Sequence, residues 1–280
     1  MSKIINKAVR CLTLFVSAFK FQKKIPIIET KEENTFLANK VALITGGSGG
    51  IGFAIAKKYV NCGCKVILAG TNEKKLEEKA REIGIKDYLV IDMNDTDSFD
   101  EKVKTAVSFY NRLDILVCSA GIHINRDGFD FINVKPVEYD NVMNINLKGT
   151  YFICQSVSKY MIKNNIHGHI LLISSNRGVE PSWSPYSLSK NGINALTIGL
   201  AQKLMPHGII VNGIAPGPSD TSMQEKNIAD SIYTSQTPLE RYTMPSEIAE
   251  YAAMLVSELG DTIVGDTIYM TGGRGIIEYR

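Results

Sequence analysis

The chain has one tryptophan, four histidines and five cysteines in 280 residues. The histidines form no cluster with metal-ligand spacing. The cysteines, Cys11, Cys62, Cys64, Cys118 and Cys154, are odd in number and irregularly spaced. That excludes a disulfide framework and points to free thiols in a reducing, cytoplasmic compartment. Cys62-Gly63-Cys64 has no second pair to complete a metal site, so it reads as a helix end leading into a strand. Charge of one sign is also lacking. The net charge is +2, which gives no footprint for nucleic acid. The longest apolar stretch, Cys11 to Phe19, is far short of the ~20 residues that span a bilayer.

Residues 1–39 differ from the rest. Ile4, Ile5, Ala8, Val9, Leu12, Phe15, Val16 and Phe19 recur at helical spacing. Lys3, Lys7, Arg10, Lys20, Lys23 and Lys24 add positive charge, and no acid precedes Glu29. No small-x-small cleavage site follows clearly. Two readings stay open for residues 1–24: a helix peripheral to an anionic membrane surface, or one that packs on its own domain or on a neighbouring subunit. Residues 29–39 read as a linker, and 40–280 as one domain.

From Lys40 the composition turns globular. Val41 to Ile44 predicts a buried strand, Thr45 to Gly52 a glycine-rich turn, and Phe53 to Cys62 a helix. Strand, glycine turn and helix bring a pyrophosphate onto a helix N-terminus, where backbone N–H groups and the helix dipole receive its charge. Two registers fit: Gly47, Gly49 and Gly52, or Thr45, Gly46, Gly50 and Gly52. Further strands are predicted at 65–69, 88–91, 115–118, 169–173, 209–214 and 267–270. Helices fall between them, including one long helix over 137–164. Strands alternating with helices imply an α/β fold: a doubly wound parallel sheet of the Rossmann type, in one domain with an N-terminal helical extension.

In such sheets ligands bind beyond the carboxyl ends of the strands. The glycine turn (Gly46, Ser48, Gly49, Gly50, Ile51, Gly52), Asp92-Met93, Ser119-Ala120-Gly121, Ser175 and Pro216-Gly217 all follow strand ends and are expected on one rim. Asp92 stands where an acid hydrogen-bonds an adenine amino group. The second strand ends in Ala69-Gly70-Thr71-Asn72 and lacks the acid that binds a free ribose 2′-hydroxyl and repels a 2′-phosphate. Thr71 and Asn72, with Lys74 and Lys75 nearby, favour NADP(H) over NAD(H). Residues 218–237 read as a mobile lid.

Tyr186 and Lys190 are four apart, on one helical face. A free phenol ionises near pH ~10. A neighbouring ammonium is expected to pull that value down and make an acid/base that works near neutrality.

With these residues in this order, the chain resembles the classical short-chain dehydrogenase/reductases over Lys40 to Gly273, and within them the 3-oxoacyl-acyl-carrier-protein reductases. The likeness rests on Thr45-Gly-Gly-Ser-Gly-Gly-Ile-Gly52, Ser174-Ser175, Tyr186-x-x-x-Lys190, Asn146 in Asn-Leu-Lys-Gly, and Pro216-Gly217. It selects the Thr45 register. It implies an oxidoreductase interconverting a carbonyl and an alcohol by hydride transfer. Tyr186 would be the proton donor in reduction, and Ser175 a second donor to the same oxygen. Lys190 would bind the nicotinamide ribose, and Asn146 would hold a relay water. Thr221 would contact the carboxamide. A homodimer or homotetramer is implied as well.

Two departures stand out. Cys118-Ser119 replaces the usual Asn-Asn, and the Ser175–Tyr186 segment, which holds Trp183, is shorter than is common. The substrate is expected to be a 3-oxoacyl thioester or a sugar or other polar ketone, with His123, Asn125 and Arg126 at its border. Ile166 and His207 stand where the carrier-protein enzymes tend to have basic residues, which weakens the first choice. The competing class is a non-catalytic dinucleotide-binding regulator or scaffold, which would be expected to lack the tyrosine or the lysine.

Overall fold

The computed structural model describes residues 35–124, 128–219 and 232–275. The readings of residues 1–24, of Asn125 and Arg126, of Thr221 and of most of the lid lie outside the described residues.

Seven strands and seven α-helices alternate along the described chain. They are β1 (Val41–Thr45), α1 (Gly50–Asn61), β2 (Lys65–Gly70), α2 (Glu73–Glu82), β3 (Tyr88–Val90), α3 (Phe99–Tyr110) and β4 (Ile115–Cys118). Then follow α4 (Pro136–Met143), α5 (Thr150–Lys163), β5 (His169–Ile173), α6 (Pro185–Leu204), β6 (Ile210–Pro216), α7 (Pro245–Leu255) and β7 (Thr267–Met270). All strand pairs are parallel, in the order β3-β2-β1-β4-β5-β6-β7. This is the doubly wound sheet expected from the sequence.

The sequences of the central strands explain their place. Every residue of β1, β4, β5 and β6 is buried. A parallel strand covered on both faces needs a continuous apolar run rather than an alternating one, and Val-Ala-Leu-Ile and Ile-Leu-Val-Cys supply it. The pleat sends Val41 and Leu43 into one core with α3, α5 and α6. It sends Ala42 and Ile44 into the other, with α1, α2 and α7. Leu37, read from the sequence as part of a linker, is fully buried in that second core, and its N–H donates to Cys62 O (3.1 Å).

The helix expected over 137–164 is interrupted. Between α4 and α5, residues Asn144–Gly149 form a π-helical turn. The wider turn carries Asn146, which is buried, and Thr150 Oγ1 donates to the Asn146 carbonyl at 2.8 Å. A π turn inside a helix commonly marks a functional site. Hydrophobic periodicity does not register one, because the apolar stripe continues through it. Cys62 ends α1 and Cys64 precedes β2, as the Cys-Gly-Cys reading anticipates.

Candidate active site

The sheet order changes direction at β1 and β4, so their carboxyl ends diverge and leave a crevice. The turn after β1 crosses the turn after β4 there. Gly46 has φ +65°, and a Cβ on it would stand 2.8 Å from Ala120 Cα and N. The crossing is pinned by Ser119 N–H donating to Thr45 O (3.2 Å). Gly49 caps α1 without a side chain, and the first turn of α1 has no acid. The first N–H groups of α1 therefore face the crevice without a side-chain cap. This is the arrangement that receives a phosphate.

A cavity of about 340 Å³ runs along this rim. It is lined by Gly46, Ser48, Gly49, Gly50, Ile51, Gly52, Thr71, Asp92, Met93, Ser119, Ala120, Gly121, Tyr186 and Lys190. The predicted residues Asn72, Asn146, Ser175, Pro216 and Gly217 are not among its walls. Asn72 is the N-cap of α2, its Oδ1 accepting from Lys75 N (3.0 Å). That cap begins the helix so that Lys75, in its first turn, reaches the cavity instead. Pro216 ends β6, and Gly217 N–H donates to Met270 O (2.9 Å). Thr45, Gly70, Ile122, Ile145, Ile173 and Ser174 also line the cavity, beyond the residues expected there. Most are neighbours of motif residues, and their apolar or hydroxyl side chains carry no signal of their own.

The second half of the site lies on α6. Ser184 caps this helix, accepting from Ser187 N (3.2 Å), and Pro185 follows at the first helical position. Tyr186 and Lys190 then share a face. Ser189 Oγ donates to Tyr186 O (2.6 Å) and accepts from Asn146 Nδ2 (3.1 Å). Asn146 also clasps the turn after β4, its Oδ1 accepting from Ile122 N (2.8 Å) and its Nδ2 donating to Ile122 O (3.0 Å). Ser174 Oγ donates to Lys190 O (3.1 Å). Thus Asn146, Ser175, Tyr186 and Lys190, predicted from three separate stretches of sequence, are drawn together.

Lys190 is 6% exposed, and its Nζ donates to Ile173 O at 2.8 Å. Burial pulls its pKa from 10.5 down to about 8, with Cys118 acting the other way. This sets the sign of a stability effect. The unfolded chain holds the Lys190 proton up to about 10.5, the folded chain only to about 8. Rising pH between those values therefore favours the folded state. The stability of the chain relative to Lys190→Met is expected to rise by roughly 2–3 kcal/mol across that window. Parallel urea titrations at pH 7.5 and 10 check it; a constant difference would contradict it.

The sequence expectation for Tyr186 needs correction. Burial pushes its phenol above the ordinary value, and the groups that pull it back are Ser175, by a hydrogen bond, and Arg177, by charge. The Lys190 ammonium bonds Ile173 O and lies over the Tyr186 ring, 5.7 Å from its centre. Arg177 is a site residue that the sequence reading does not include. It lies two residues beyond Ser175, and its N–H donates to Ser175 Oγ (3.2 Å). His123 sets its ring edgewise on Tyr186, centroids 4.7 Å apart. Trp183 is 43% exposed and packs on Phe129 at 5.2 Å.

A family model described as short chain dehydrogenase matches residues 40–231. The chain is 36% identical over 242 residues to the 3-oxoacyl-[acyl-carrier-protein] reductase FabG of Rickettsia conorii, covering 85% of this chain and 97% of that one. It is 35% identical over 245 residues to FabG of Thermotoga maritima, covering 85% and 98%. The fold matches a 3-ketoacyl-(acyl-carrier-protein) reductase from Brucella melitensis complexed with NADH. The TM-score is 0.77 and the identity 30%, over 86% of this chain and all of that one (100%).

Proposed function

The chain belongs to the short-chain dehydrogenase family, and from that premise we propose that it reduces a 3-oxoacyl thioester or a sugar or other polar ketone with NADP(H), using Tyr186 as acid/base. As a member of the family it is an oxidoreductase that interconverts a carbonyl and an alcohol. The observation that carries the finer reading is the convergence of Ser175, Tyr186 and Lys190 beside the glycine turn. The uncapped N-terminus of α1, the close crossing at Gly46 and a buried lysine whose Nζ donates to the Ile173 carbonyl all suit a nicotinamide dinucleotide.

When bound, the cofactor supplies the hydride in reduction and accepts it in oxidation. The chain's own residues do the rest. Ser175 and Tyr186 offer two hydroxyls to the substrate oxygen, where negative charge develops. Tyr186 delivers the proton to that oxygen, and burial keeps its phenol protonated at neutral pH. Lys190 offers its ammonium to the ribose hydroxyls. Asn146 has both amide hydrogens committed to Ile122 O and Ser189 Oγ, so a relay water at Asn146 donates to one of its oxygens.

Preference for NADP(H) is supported by what surrounds the end of β2. Thr71 and Lys75 line the cavity, Ser48 lines it too, and no acid stands at Gly70-Thr71-Asn72. A 2′-phosphate meets hydroxyls and an ammonium there. Lys75→Glu is expected to raise KM for NADPH by about tenfold or more while leaving KM for NADH within about twofold. Equal effects on the two cofactors would refute the assignment.

For the substrate, Phe129 and Trp183 pack into an apolar pair, and His123 and Arg177 add polar groups beside Tyr186. Ile166 is buried and carries no charge, so it supplies no basic contact for an acidic carrier, and His207, which is exposed, stands in place of the other basic residue. NADPH oxidation with an acetoacetyl thioester and with a panel of ketoses separates the two classes. No turnover on either, with NADPH still bound, would favour a non-catalytic binder.

Exposed apolar residues around Asn146 and Tyr186, among them Val137, Tyr151, Leu188 and Ile198, support assembly as a homodimer or homotetramer. The basic amphipathic pattern of residues 1–24 supports peripheral contact with an anionic membrane surface in a cytoplasmic protein. Among the described residues, no helix is long and apolar enough to cross a membrane.

A further inference from the structure

The turn after β5 begins at Ser175 and passes through a short 3-10 turn, Asn176–Gly178, before reaching Glu180. Its backbone is anchored on α6 without help from the Asn176 side chain. Gly178 O accepts from Asn191 Nδ2 (3.0 Å) and from Asn194 Nδ2 (3.2 Å). A Cβ on Gly178 would stand 2.8 Å from Lys190 O, so the turn lies close against that helix.

Asn176 is 5% exposed, and both ends of its amide are used. Nδ2 donates to Glu180 Oε1 (2.5 Å), and Oδ1 accepts from Ser175 Oγ (3.3 Å). A carboxylate only accepts, so the Nδ2 end must face Glu180 and the Oδ1 end must face Ser175. The carboxylate is itself held in place. Arg274, from the segment after β7, donates through Nε to Oε1 (2.9 Å) and through Nη2 to Oε2 (3.4 Å). Arg177 Nη1 donates to Oε2 (3.1 Å). Ser175 Oγ is therefore held from two sides, accepting from Arg177 N (3.2 Å) and donating to Asn176 Oδ1. Both bonds are long for their kind and correspondingly weak. A substrate oxygen on which negative charge develops is the stronger acceptor. The hydroxyl can thus redirect its hydrogen from Oδ1 to that oxygen by turning about Cβ–Oγ, with Oγ itself staying in place.

We propose that Asn176 is a positioning residue for the reaction: with its amide locked by Glu180, it holds the Ser175 hydroxyl where that group donates to the substrate oxygen. The proposal rests on the reading of Ser175 as a second donor beside Tyr186. Asn176 is buried and stands outside the cavity walls, so it acts through Ser175 and not on the cofactor. The turn keeps its shape through Gly178, which leaves the amide of Asn176 to address Ser175.

The test is a double-mutant cycle on the full chain, read as NADPH oxidation with an acetoacetyl thioester and with the ketose panel. Ser175→Ala is expected to lower kcat by about 100-fold, the loss of one preplaced donor. Asn176→Leu keeps the volume and removes both amide bonds. It is expected to lower kcat by about tenfold, with KM for NADPH within about twofold of the parent's. In the Ser175→Ala background the same change should cost less than about twofold, because the hydroxyl it acts through is gone. Glu180→Ala frees the amide and is expected to lower kcat by about threefold to tenfold. Glu180→Gln, whose amide oxygen still accepts from Asn176 Nδ2, should recover most of that loss.

A merely structural role would slow both backgrounds by the same factor, or raise KM for NADPH in step with the loss. Equal losses in the two backgrounds, or an Asn176→Leu as fast as the parent, overturn the proposal. The Glu180 side chain is 14% exposed, so its variants report even if Asn176→Leu does not fold, and Glu180→Ala at the parental rate overturns the proposal as well. A slow Ser175→Ala beside a fast Asn176→Leu would sink the positioning role alone. If Ser175→Ala were as fast as the parent, or if the parent reduced nothing on the panel, the reading of Ser175 as a donor would fail and the positioning role with it.

Discussion

Tyr186→Phe is expected to lower turnover by about a thousandfold or more while leaving the Kd for NADPH within about twofold. The substitution removes one oxygen and almost no volume. What it removes is the proton that must reach the substrate oxygen and one of two donors to the charge developing there. Each of those effects contributes roughly 10²–10³ in known acid/base and oxyanion sites. Cofactor binding rests elsewhere, on the turn after β1, the end of β2 and Lys190, so it should be spared. Fold stability should be spared too, because Ser189 and Asn146 hold α6 through the Tyr186 backbone carbonyl, not its ring. Stopped-flow NADPH oxidation and fluorescence titration separate the two quantities. Loss of cofactor binding in step with turnover would mean that the ring holds the cleft open rather than donating a proton.

The same substitution speaks to how much of the site was legible in the sequence. Tyr186 and Lys190 could be placed on one face because a capping serine and a proline announce the start of α6 at Ser184-Pro185. The apolar runs gave the strands, and the alternation of strand and helix gave the doubly wound order. These features are local or depend on counting, and a sequence holds both. The direction of the Tyr186 shift was not legible. Helical spacing brings Lys190 near Tyr186, but only the folded chain reveals that Ile173 O claims its ammonium, or that Arg177 brings the other charge.

The cap at Asn72 was hidden for a related reason. Its type suits a phosphate contact and a helix cap equally, and only the folded chain reveals the bond from Lys75 N that makes it a cap. The π turn at Asn144–Gly149 was hidden because the amphipathic pattern runs through it undisturbed. Glu180 and Arg274 lie 94 residues apart, and no spacing rule connects them. Pairings between distant charged surface residues are what a single sequence discloses least.

The largest effect on cofactor binding is expected from the smallest change, Gly52→Ala. A Cβ at Gly52 would stand 2.4 Å from Gly46 O and 2.9 Å from Gly46 C. Both atoms are backbone, so no flexible side chain can swing aside. Gly46 cannot retreat freely either, because its own position is fixed against Ala120 at the crossing of the two turns. The added methyl must therefore push the first turn of α1 away from the turn after β1 and spoil the cradle for the pyrophosphate. NADPH affinity is expected to fall about 100-fold or more, and stability by about 1–3 kcal/mol, as for an overpacked core position. Gly199 is the control: it is exposed on α6, and a methyl added there would meet nothing within 4 Å. Gly199→Ala removes a flexible residue from a helix interior and should stabilise the chain by about 0.5–1 kcal/mol with NADPH binding unchanged. Calorimetry and thermal unfolding on the two variants read both quantities side by side. If Gly52→Ala bound NADPH as the parent does, the first turn of α1 would not be the phosphate site, and the cofactor would have to lie elsewhere along the rim.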